Sequence, residues 1–295
     1  MIREEYAEEV RKKVQERAGD GCEVIVRTVL KNNGVKLTGL TIHEDGKTVS
    51  PTLYLEGIDT EDADEAADII LNHYRKYGGK ESDELSEMIK DALLDRERVL
   101  ETVIPRLINY EWNCEYLEGV PHRRLMDLAV TYCLPICEGA VMKITNGYAD
   151  AVGVTEEELH EAAMANIERQ GYEVTRMDEL LLKLKKIEIP PDGFLDPKYT
   201  FMIMTNTEHD HGAYAFFAKD DLKRIADDFG ANLYLIPSSV HEILALGDFP
   251  DVTGESIAEL VKAVNHDNVT PEERLSDSVY YYDRDTCEVR VAIAG

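Results

Sequence analysis

Four consecutive residues, Glu208-His209-Asp210-His211, place two imidazoles and two carboxylates side by side in the chain. Imidazole nitrogen and carboxylate oxygen are ligands that zinc accepts. On a strand, side chains two positions apart point the same way, so His209 and His211 are the predicted metal ligands. A stable zinc site also needs a third or fourth ligand from elsewhere in the chain. Because Gly212 follows directly, the alternative is a polar hairpin loop, which the missing ligands favour.

Two serines and a histidine form a second polar group, directly after the predicted strand at 232–236. A serine with a nearby histidine base is the pair used in nucleophilic catalysis, which makes Ser238, Ser239 and His241 candidates. No glycine-flanked nucleophile turn surrounds these serines, however. The alternative is a helix start, with Ser238 or Ser239 as the N-cap and Glu242 near the third helical position. We predict the helix cap, because it is the commoner motif.

The cysteines and the basic residues of the middle region have plain structural explanations. The five cysteines are scattered and odd in number, which predicts reduced and mostly buried thiols. Cys133 and Cys137 flank an apolar stretch without a second pair at metal-ligand spacing, so core packing is predicted for them. Arg123 and Arg124 can hold a small anion, but pairing with nearby carboxylates is the simpler prediction. No phosphate-binding glycine motif and no HExxH pattern occurs, so no cofactor is predicted.

The charge balance of the chain is strongly acidic. Lys and Arg total 32 against 59 Asp and Glu, which gives a formal net charge of −27. Such a surface repels nucleic-acid phosphates and anionic lipids, so we do not expect direct binding to nucleic acid or to a membrane. We expect a protein partner instead. The N-terminal residues show no secretory signal, and no window holds the roughly 18 apolar residues of a membrane span. These observations predict a cytoplasmic protein.

The first block, residues 1–96, is predicted to hold a helix, a three-stranded antiparallel meander and further helices. Apolar residues at four-residue spacing from Ile2 to Val14 predict the first helix. Turn signals at Asn33-Gly34 and Asp45-Gly46 divide the strands that follow. The predicted strands are 22–30, 35–43 and 48–55, and the next helices begin at Asp59 or Thr60 and at Ser82.

The second block, residues 97–186, is predicted to be rich in strands and to include one helix. The strands are predicted over 98–110, 125–136 and 140–144. A capping box at Thr155–Glu158 predicts where the helix begins. Prolines and glycine are concentrated in residues 187–198, and such a density of breakers predicts a linker and a domain boundary.

The third block, residues 199–295, is predicted to be an α/β subdomain with a final hairpin. Its predicted strands are 199–204, 213–217, 232–236, 278–282 and 287–293. Its predicted helices carry apolar stripes over 222–229 and 257–264, with a further helix start at the capping box Thr270–Glu273. The fold class predicted for the chain is therefore α+β: an antiparallel meander sheet with flanking helices, a second β-rich block and a C-terminal α/β subdomain.

Five segments in matching order carry a resemblance to a known family. They are Leu30-Lys31-Asn32-Asn33-Gly34-Val35, Ser50-Pro51-Thr52-Leu53-Tyr54-Leu55, Leu107-Ile108-Asn109-Tyr110, Ile236-Pro237-Ser238-Ser239-Val240-His241-Glu242 and Leu275-Ser276-Asp277-Ser278-Val279-Tyr280-Tyr281-Tyr282. Together they resemble a bacterial family described only as a domain of unknown function, from anaerobic gut bacteria. The resemblance spans nearly the whole chain and implies no activity or catalytic residue.

Three functional hypotheses follow from the sequence. The leading one is a non-enzymatic intracellular binding or regulatory protein with an acidic interaction surface, because each catalytic candidate has a simpler structural explanation. The first alternative is a DNA-mimicking inhibitor of a nucleic-acid-binding protein, since clustered carboxylates can occupy a basic groove. The second alternative is a hydrolytic enzyme with an unfamiliar, metal-assisted site at His209 and His211.

Overall fold

The computed structural model describes two compact units of the chain, Met1–Arg98 and Val99–Gly295. The residues that it describes are 4–45, 50, 52–77, 95–137, 140–183, 200–237 and 239–295. Every strand pairing among them is antiparallel, and helices accompany each sheet. The predicted α+β class is therefore confirmed. None of the helices that the structure describes is both long and apolar enough to span a bilayer.

The first unit is a three-stranded meander covered by two helices. Its elements are α1 Glu4–Ala18, β1 Cys22–Leu30, β2 Lys36–Glu44, β3 Thr52–Tyr54 and α2 Ala63–Tyr77, with the strands in the order β1-β2-β3. Helices α1 and α2 pack together and bury Val10, Val14 and Ile70 against Leu40 of the sheet. The meander predicted from the turn signals is confirmed.

Two details of the first unit concern its turns and caps. Asn33 and Gly34 take the left-handed backbone, with φ of 58° and 70°, as the predicted hairpin turn requires. The predicted caps of α2 at Asp59 or Thr60 are wrong, because the carboxylate of Asp62 accepts the backbone N–H of Asp64 at 2.8 Å. The helix predicted from Ser82 lies outside the described residues.

The second unit contains two antiparallel sheets. Its elements are α3 Arg96–Thr102 at the boundary, β4 Ile104–Asn109, α4 Cys114–Leu117, β5 Arg123–Leu125, β6 Leu128–Cys137, β7 Ala140–Lys143, α5 Asn146–Val152, α6 Glu156–Gln170, β8 Glu173–Arg176, α7 Met177–Lys183, β9 Met202–Thr205, α8 Lys219–Phe229, β10 Leu233–Ile236, β11 Ile243–Gly247, α9 Gly254–Asn268, β12 Val279–Asp283 and β13 Glu288–Ile293. One sheet has the order β4-β6-β5 with β7 also paired to β6, and the other has the order β13-β12-β10-β11-β9-β8.

One hydrophobic core serves both sheets of the second unit. Tyr132 and Leu128 of β6 belong to the same buried cluster as Met204 of β9, Leu235 of β10 and Tyr280 of β12. Strand β8, from the predicted second block, pairs with β9, from the predicted third block. The predicted linker at 187–198 lies outside the described residues, so a boundary there stays a prediction.

Several local predictions for the second unit are confirmed. The capping box of α6 forms, with the Thr155 hydroxyl accepting the Glu158 N–H and the Glu158 carboxylate accepting the Thr155 N–H. Gly230 ends α8 in the left-handed conformation, with φ of 65°. Strands β12 and β13 form the final hairpin. Each of these signals is complete within a few residues, which explains why the sequence alone reveals it.

Three predictions for this unit are wrong. The strand predicted over 98–110 is helix α3 followed by β4, and β4 tolerates Pro105 because it lies at a sheet edge. The strand predicted over 213–217 is a 3-10 helix, Gly212–Phe217. The capping box at Thr270 makes only a turn, in which the Glu273 N–H donates to the Thr270 carbonyl at 2.9 Å. Apolar patterns of this length are short enough to suit either kind of element.

Candidate functional site

The histidine-rich stretch lies in the loop that leaves β9, where it meets the segment that enters β11. Strands β9 and β11 pair antiparallel, with Ile243 opposite Met204. The end of β9 therefore lies beside the start of β11, which brings His211 next to His241. The stretch is a polar loop, which is the favoured prediction. The strand geometry that would pair His209 with His211 is not present, because both residues have left-handed backbone, with φ of 54° and 50°.

Backbone and side-chain hydrogen bonds hold this loop in shape. The Asn206 side chain donates to the Asp210 carbonyl at 2.8 Å and accepts the Asp210 N–H at 3.2 Å. Neighbouring atoms leave no room for a side chain at Gly212, since a β carbon there would lie 2.2 Å from Thr205 Oγ1 and 2.8 Å from the His241 carbonyl oxygen. The backbone path that positions Asp210 and His211 therefore requires glycine at position 212.

Asp210, His211 and His241 form a compact group, which we call the Asp210 cluster. Asp210 Oδ1 lies 2.8 Å from His211 Nδ1 and 3.2 Å from His241 Nδ1. One ligand atom from each residue lies within 4.8 Å of the other two. Within the described residues, no other three His, Cys, Asp or Glu side chains lie this close to one another. Its side chains are partly exposed, at 49%, 35% and 25%, so a ligand can reach them.

The two ring nitrogens of His241 have different partners. His241 Nδ1 lies 3.2 Å from the backbone nitrogen of His211, whose N–H it accepts, and 3.2 Å from Asp210 Oδ1. His241 Nε2 lies 3.5 Å from a carboxylate oxygen of Glu273. A carboxylate on the far side of a histidine ring is the usual second partner of a metal-binding imidazole.

Burial sets the charge states around the Asp210 cluster. Burial lowers the pKa of His211, and the positive charge of Arg106 lowers it further against the opposing effect of Asp210. Burial also raises the pKa of Glu242, with His241 and Ser239 acting in the opposite direction. A lowered pKa favours the neutral imidazole of His211, and the neutral imidazole is the form that binds a metal ion.

The two predicted metal ligands separate in the structure. His211 belongs to the Asp210 cluster, whereas the Nε2 atom of His209 lies 3.1 Å from a carboxylate oxygen of Glu173. Asp210 and His241 complete the group instead. The role of these residues as metal ligands stays a prediction.

The helix start predicted at Ser238 or Ser239 is wrong. Ser239 forms an isolated β-bridge with Arg274, and β11 follows at Ile243, so no helix begins here. The Ser239 hydroxyl instead accepts the His241 N–H at 3.0 Å, while Ser238 lies outside the described residues. The segment joins two antiparallel strands, and that pairing overrides the local capping pattern.

Arg106 is a candidate that the sequence reasoning missed. It lies on β4 opposite Thr131 of β6. Cys133 is two residues after Thr131 on β6, so the Arg106 and Cys133 side chains lie on the same face of the sheet. Its positive charge lowers the pKa of His211 and opposes the effect of burial on the pKa of the Cys133 thiol. Strand β4 packs against the 3-10 helix that begins at Gly212, which explains the proximity. No motif marks Arg106 in the sequence.

The predictions for the cysteines have mixed outcomes. Cys133 is buried as predicted, and burial raises the pKa of its thiol to about 11. The prediction of mostly buried thiols is wrong for the described cysteines, since Cys114 is exposed and Cys22 and Cys287 are only partly buried.

The arginines of β5 pair with carboxylates, as predicted. Arg123 forms a bidentate ion pair with Glu156, with distances of 3.1 and 2.9 Å. Arg124 contacts Glu111 at 3.2 Å. Both guanidinium groups are therefore engaged within the protein, in contrast to a free anion site.

A family model describes nearly the whole chain. It matches residues 3–284 and carries the description "family of unknown function". The chain belongs to DUF5688. No curated protein and no solved structure matches it significantly. Membership of DUF5688 assigns no activity, so the function has to be argued from the geometry of the residues.

This DUF5688 chain has a second polar group, which we call the Asp127 cluster. Asp127 follows Met126, whose φ is 56°, in the tight turn between β5 and β6. Its carboxylate accepts the hydroxyls of Ser276 at 2.7 Å, of Ser278 at 2.9 Å and of Tyr280. The three donors are buried; Ser276 and Ser278 precede β12, and Tyr280 lies on it. The Asp127 cluster thus joins the two sheets of the second unit.

Proposed function

We propose that this protein binds a divalent transition-metal ion through Asp210, His211 and His241 and uses that ion in hydrolysis. The observation that carries the proposal is the Asp210 cluster, whose three ligand atoms lie within 4.8 Å of one another. Two imidazoles and one carboxylate are a donor set that suits zinc. The proposal retains the metal-assisted site of the sequence hypothesis but exchanges His209 for His241 and Asp210.

The chemistry follows from the number and exposure of the ligands. Three protein ligands leave a fourth position for water, which is the arrangement of catalytic rather than structural zinc. Zinc lowers the pKa of a bound water to about 7 and so supplies a hydroxide nucleophile near neutral pH. Glu273, 3.5 Å from His241 Nε2, is placed to orient that imidazole.

The test is a zinc titration of the metal-free protein and of matched histidine variants. We expect His211→Ala and His241→Ala to bind zinc about 100-fold more weakly, because a three-ligand site that loses one ligand becomes a two-ligand site. His266→Ala is the matched control. His266 Nδ1 also lies 2.8 Å from a neighbouring carboxylate, that of Asp267, but within the described residues it belongs to no group of three potential ligands. Its loss should leave zinc affinity unchanged.

His209→Ala distinguishes this ligand set from the pair predicted by the sequence. Because His209 contacts Glu173 and lies outside the Asp210 cluster, zinc affinity should stay within about twofold of the wild-type value. A wild-type protein that binds no zinc at micromolar concentrations would overturn the proposal. So would a variant series in which His209→Ala loses zinc and His241→Ala retains it.

A second candidate function rests on the net charge of −27. We propose in this case a regulator, or a DNA-mimicking inhibitor, that binds a basic protein in the bacterial cytoplasm. Charge attraction of this kind weakens as salt rises. Affinity capture from bacterial lysate at low and high salt tests it, with mass spectrometry to identify the bound protein. Specific retention of a nucleic-acid-binding protein at low salt alone supports the inhibitor, and no salt-sensitive partner contradicts both forms.

A further inference from the structure

Arg106 differs from three other arginines on the sheets of the second unit. Arg123, Arg124 and Arg176 each contact a carboxylate at 3.2 Å or less. In the described part of the chain, Arg106 has no carboxylate within ion-pair distance, and its Nε atom is buried without a hydrogen-bond partner. Arg290 on β13 also has no carboxylate partner among the described residues, but its guanidinium lies 4.5 Å from the centroid of the Tyr281 ring. Among the same residues the buried Nε of Arg106 has no such compensating contact, although carboxylates outnumber basic groups by 59 to 32.

The surroundings of Arg106 combine an enclosed side and an accessible side. Cys133 and Tyr214 are buried, while Tyr116 and Arg106 itself are only partly buried. Arg106 lies close enough to both tyrosines for its charge to affect them. An enclosed donor that lacks an acceptor costs free energy unless a ligand supplies the acceptor.

Strand β4, which carries Arg106, packs against the 3-10 helix that directly follows His211, and this position indicates what that ligand is. A guanidinium and a metal ion repel each other, so their proximity is unfavourable until an anion lies between them. Carboxylate and phosphate groups have two or more oxygens, one of which can face the metal while another accepts from Arg106. The same arrangement would satisfy the orphaned donor and neutralise both positive charges.

We propose that Arg106 binds the carboxylate or phosphate group of an anionic substrate that also contacts the metal at the Asp210 cluster. This inference rests on the proposed function for its metal but makes its own demand on Arg106. The shared chemistry is a small oxyanion, and the protein offers its planar donor fork and the metal as the two points of attachment.

The experiment titrates inorganic phosphate and, separately, acetate into the protein by calorimetry. Each titration uses zinc-loaded protein, dialysed to remove free zinc, and protein stripped of metal. Arg106→Gln should weaken binding of the preferred anion by about tenfold or more, because it removes a charged donor. Arg224→Gln is the control, since Arg224 is exposed and already pairs with Asp221 at 2.7 Å. Preference between phosphate and acetate identifies the substrate class.

A second variant guards against a folding defect. Arg106→Lys keeps the positive charge but loses the planar fork, so it should remain folded and bind the anion more weakly than wild type. Thermal melting of each variant accompanies the titrations. If neither anion binds wild type, or if both Arg106 variants bind as wild type does, the inference is overturned.

The metal-free titrations separate this inference from the proposed function. If zinc fails to bind but phosphate or acetate still binds in an Arg106-dependent way, the metal proposal fails and the anion site stands. If zinc binds through His211 and His241 but Arg106→Gln leaves anion affinity unchanged, the anion site fails and the metal proposal stands.

Discussion

Asp127 and Asp210 are two carboxylates in the same unit with opposite surroundings. Asp127 accepts three hydroxyls whose residues are buried, and those donors leave the carboxylate well satisfied. Asp210 shares one oxygen between two imidazoles, and its side chain is 49% exposed. A saturated and enclosed network stabilises the fold, whereas an incomplete and accessible one retains the capacity to bind something else. Of the two polar groups, the Asp210 cluster is therefore the one to test for function.

The largest effect is expected at the Asp127 cluster. Asp127→Ala removes the shared acceptor and leaves buried hydroxyls of Ser276, Ser278 and Tyr280 unpaired. The free energy of unfolding should fall by about 3 kcal/mol, since hydrogen bonds to a charged group are among the stronger ones and their losses are not additive. Urea unfolding followed by circular dichroism measures this loss.

Asp267→Ala is the control for that measurement. Asp267 is 69% exposed and contacts only an exposed imidazole in the described contacts, so its loss should change stability by less than about 0.5 kcal/mol. Equal effects of the two substitutions would remove the distinction between a structural carboxylate and a surface one.

A smaller effect on stability is expected at Gly212, with a large effect on the Asp210 cluster. A β carbon there would overlap Thr205 and the His241 carbonyl, so Gly212→Ala should cost about 2 kcal/mol. The same displacement should weaken zinc binding, because it moves His241 away from His211. Gly147→Ala is the matched control, as its β carbon would meet nothing within 4 Å. Unchanged zinc affinity in Gly212→Ala would show that the close approach does not position the ligands.

The smallest effect concerns alkaline pH at the Asp127 cluster. Burial, followed by the hydrogen bond to Asp127, raises the pKa of Tyr280 above its usual value near 10. The folded state therefore favours the neutral phenol. Its contribution is complete below pH 10 and decreases as the unfolded chain ionises at higher pH.

Between pH 9 and 11 this one tyrosine should cost about 1 kcal/mol of stability. Urea unfolding across that range should show a shallower decline for Tyr280→Phe than for wild type, whatever the stability of the variant at neutral pH. Parallel declines for the two proteins would contradict the assignment of Tyr280 to a saturated network.

Predictability followed the distance over which each signal acts. The capping box at Thr155 and the left-handed Gly230 are local, and both were predictable from a few residues. The capping patterns at Ser239 and Thr270 look similar in the sequence, yet neither starts a helix. Ser239 forms a β-bridge instead. The segment at Thr270 forms a turn, and the Glu273 carbonyl in that turn accepts the Val240 N–H. Local propensity yields to tertiary contacts when the two conflict.

Periodicity and turn chemistry are encoded locally, so the α+β class, the meander and the final hairpin could be predicted from the amino-acid sequence, as could the acidic charge and the family. The sequence also identified His211 as chemically interesting. The folded chain was needed to show that His241, thirty residues away, contacts His211 and that the strand carrying Arg106 packs against the segment after it. Those neighbours depend on the pairing of β9 with β11 and on the packing of β4, which arise from whole elements and leave no short motif in the chain.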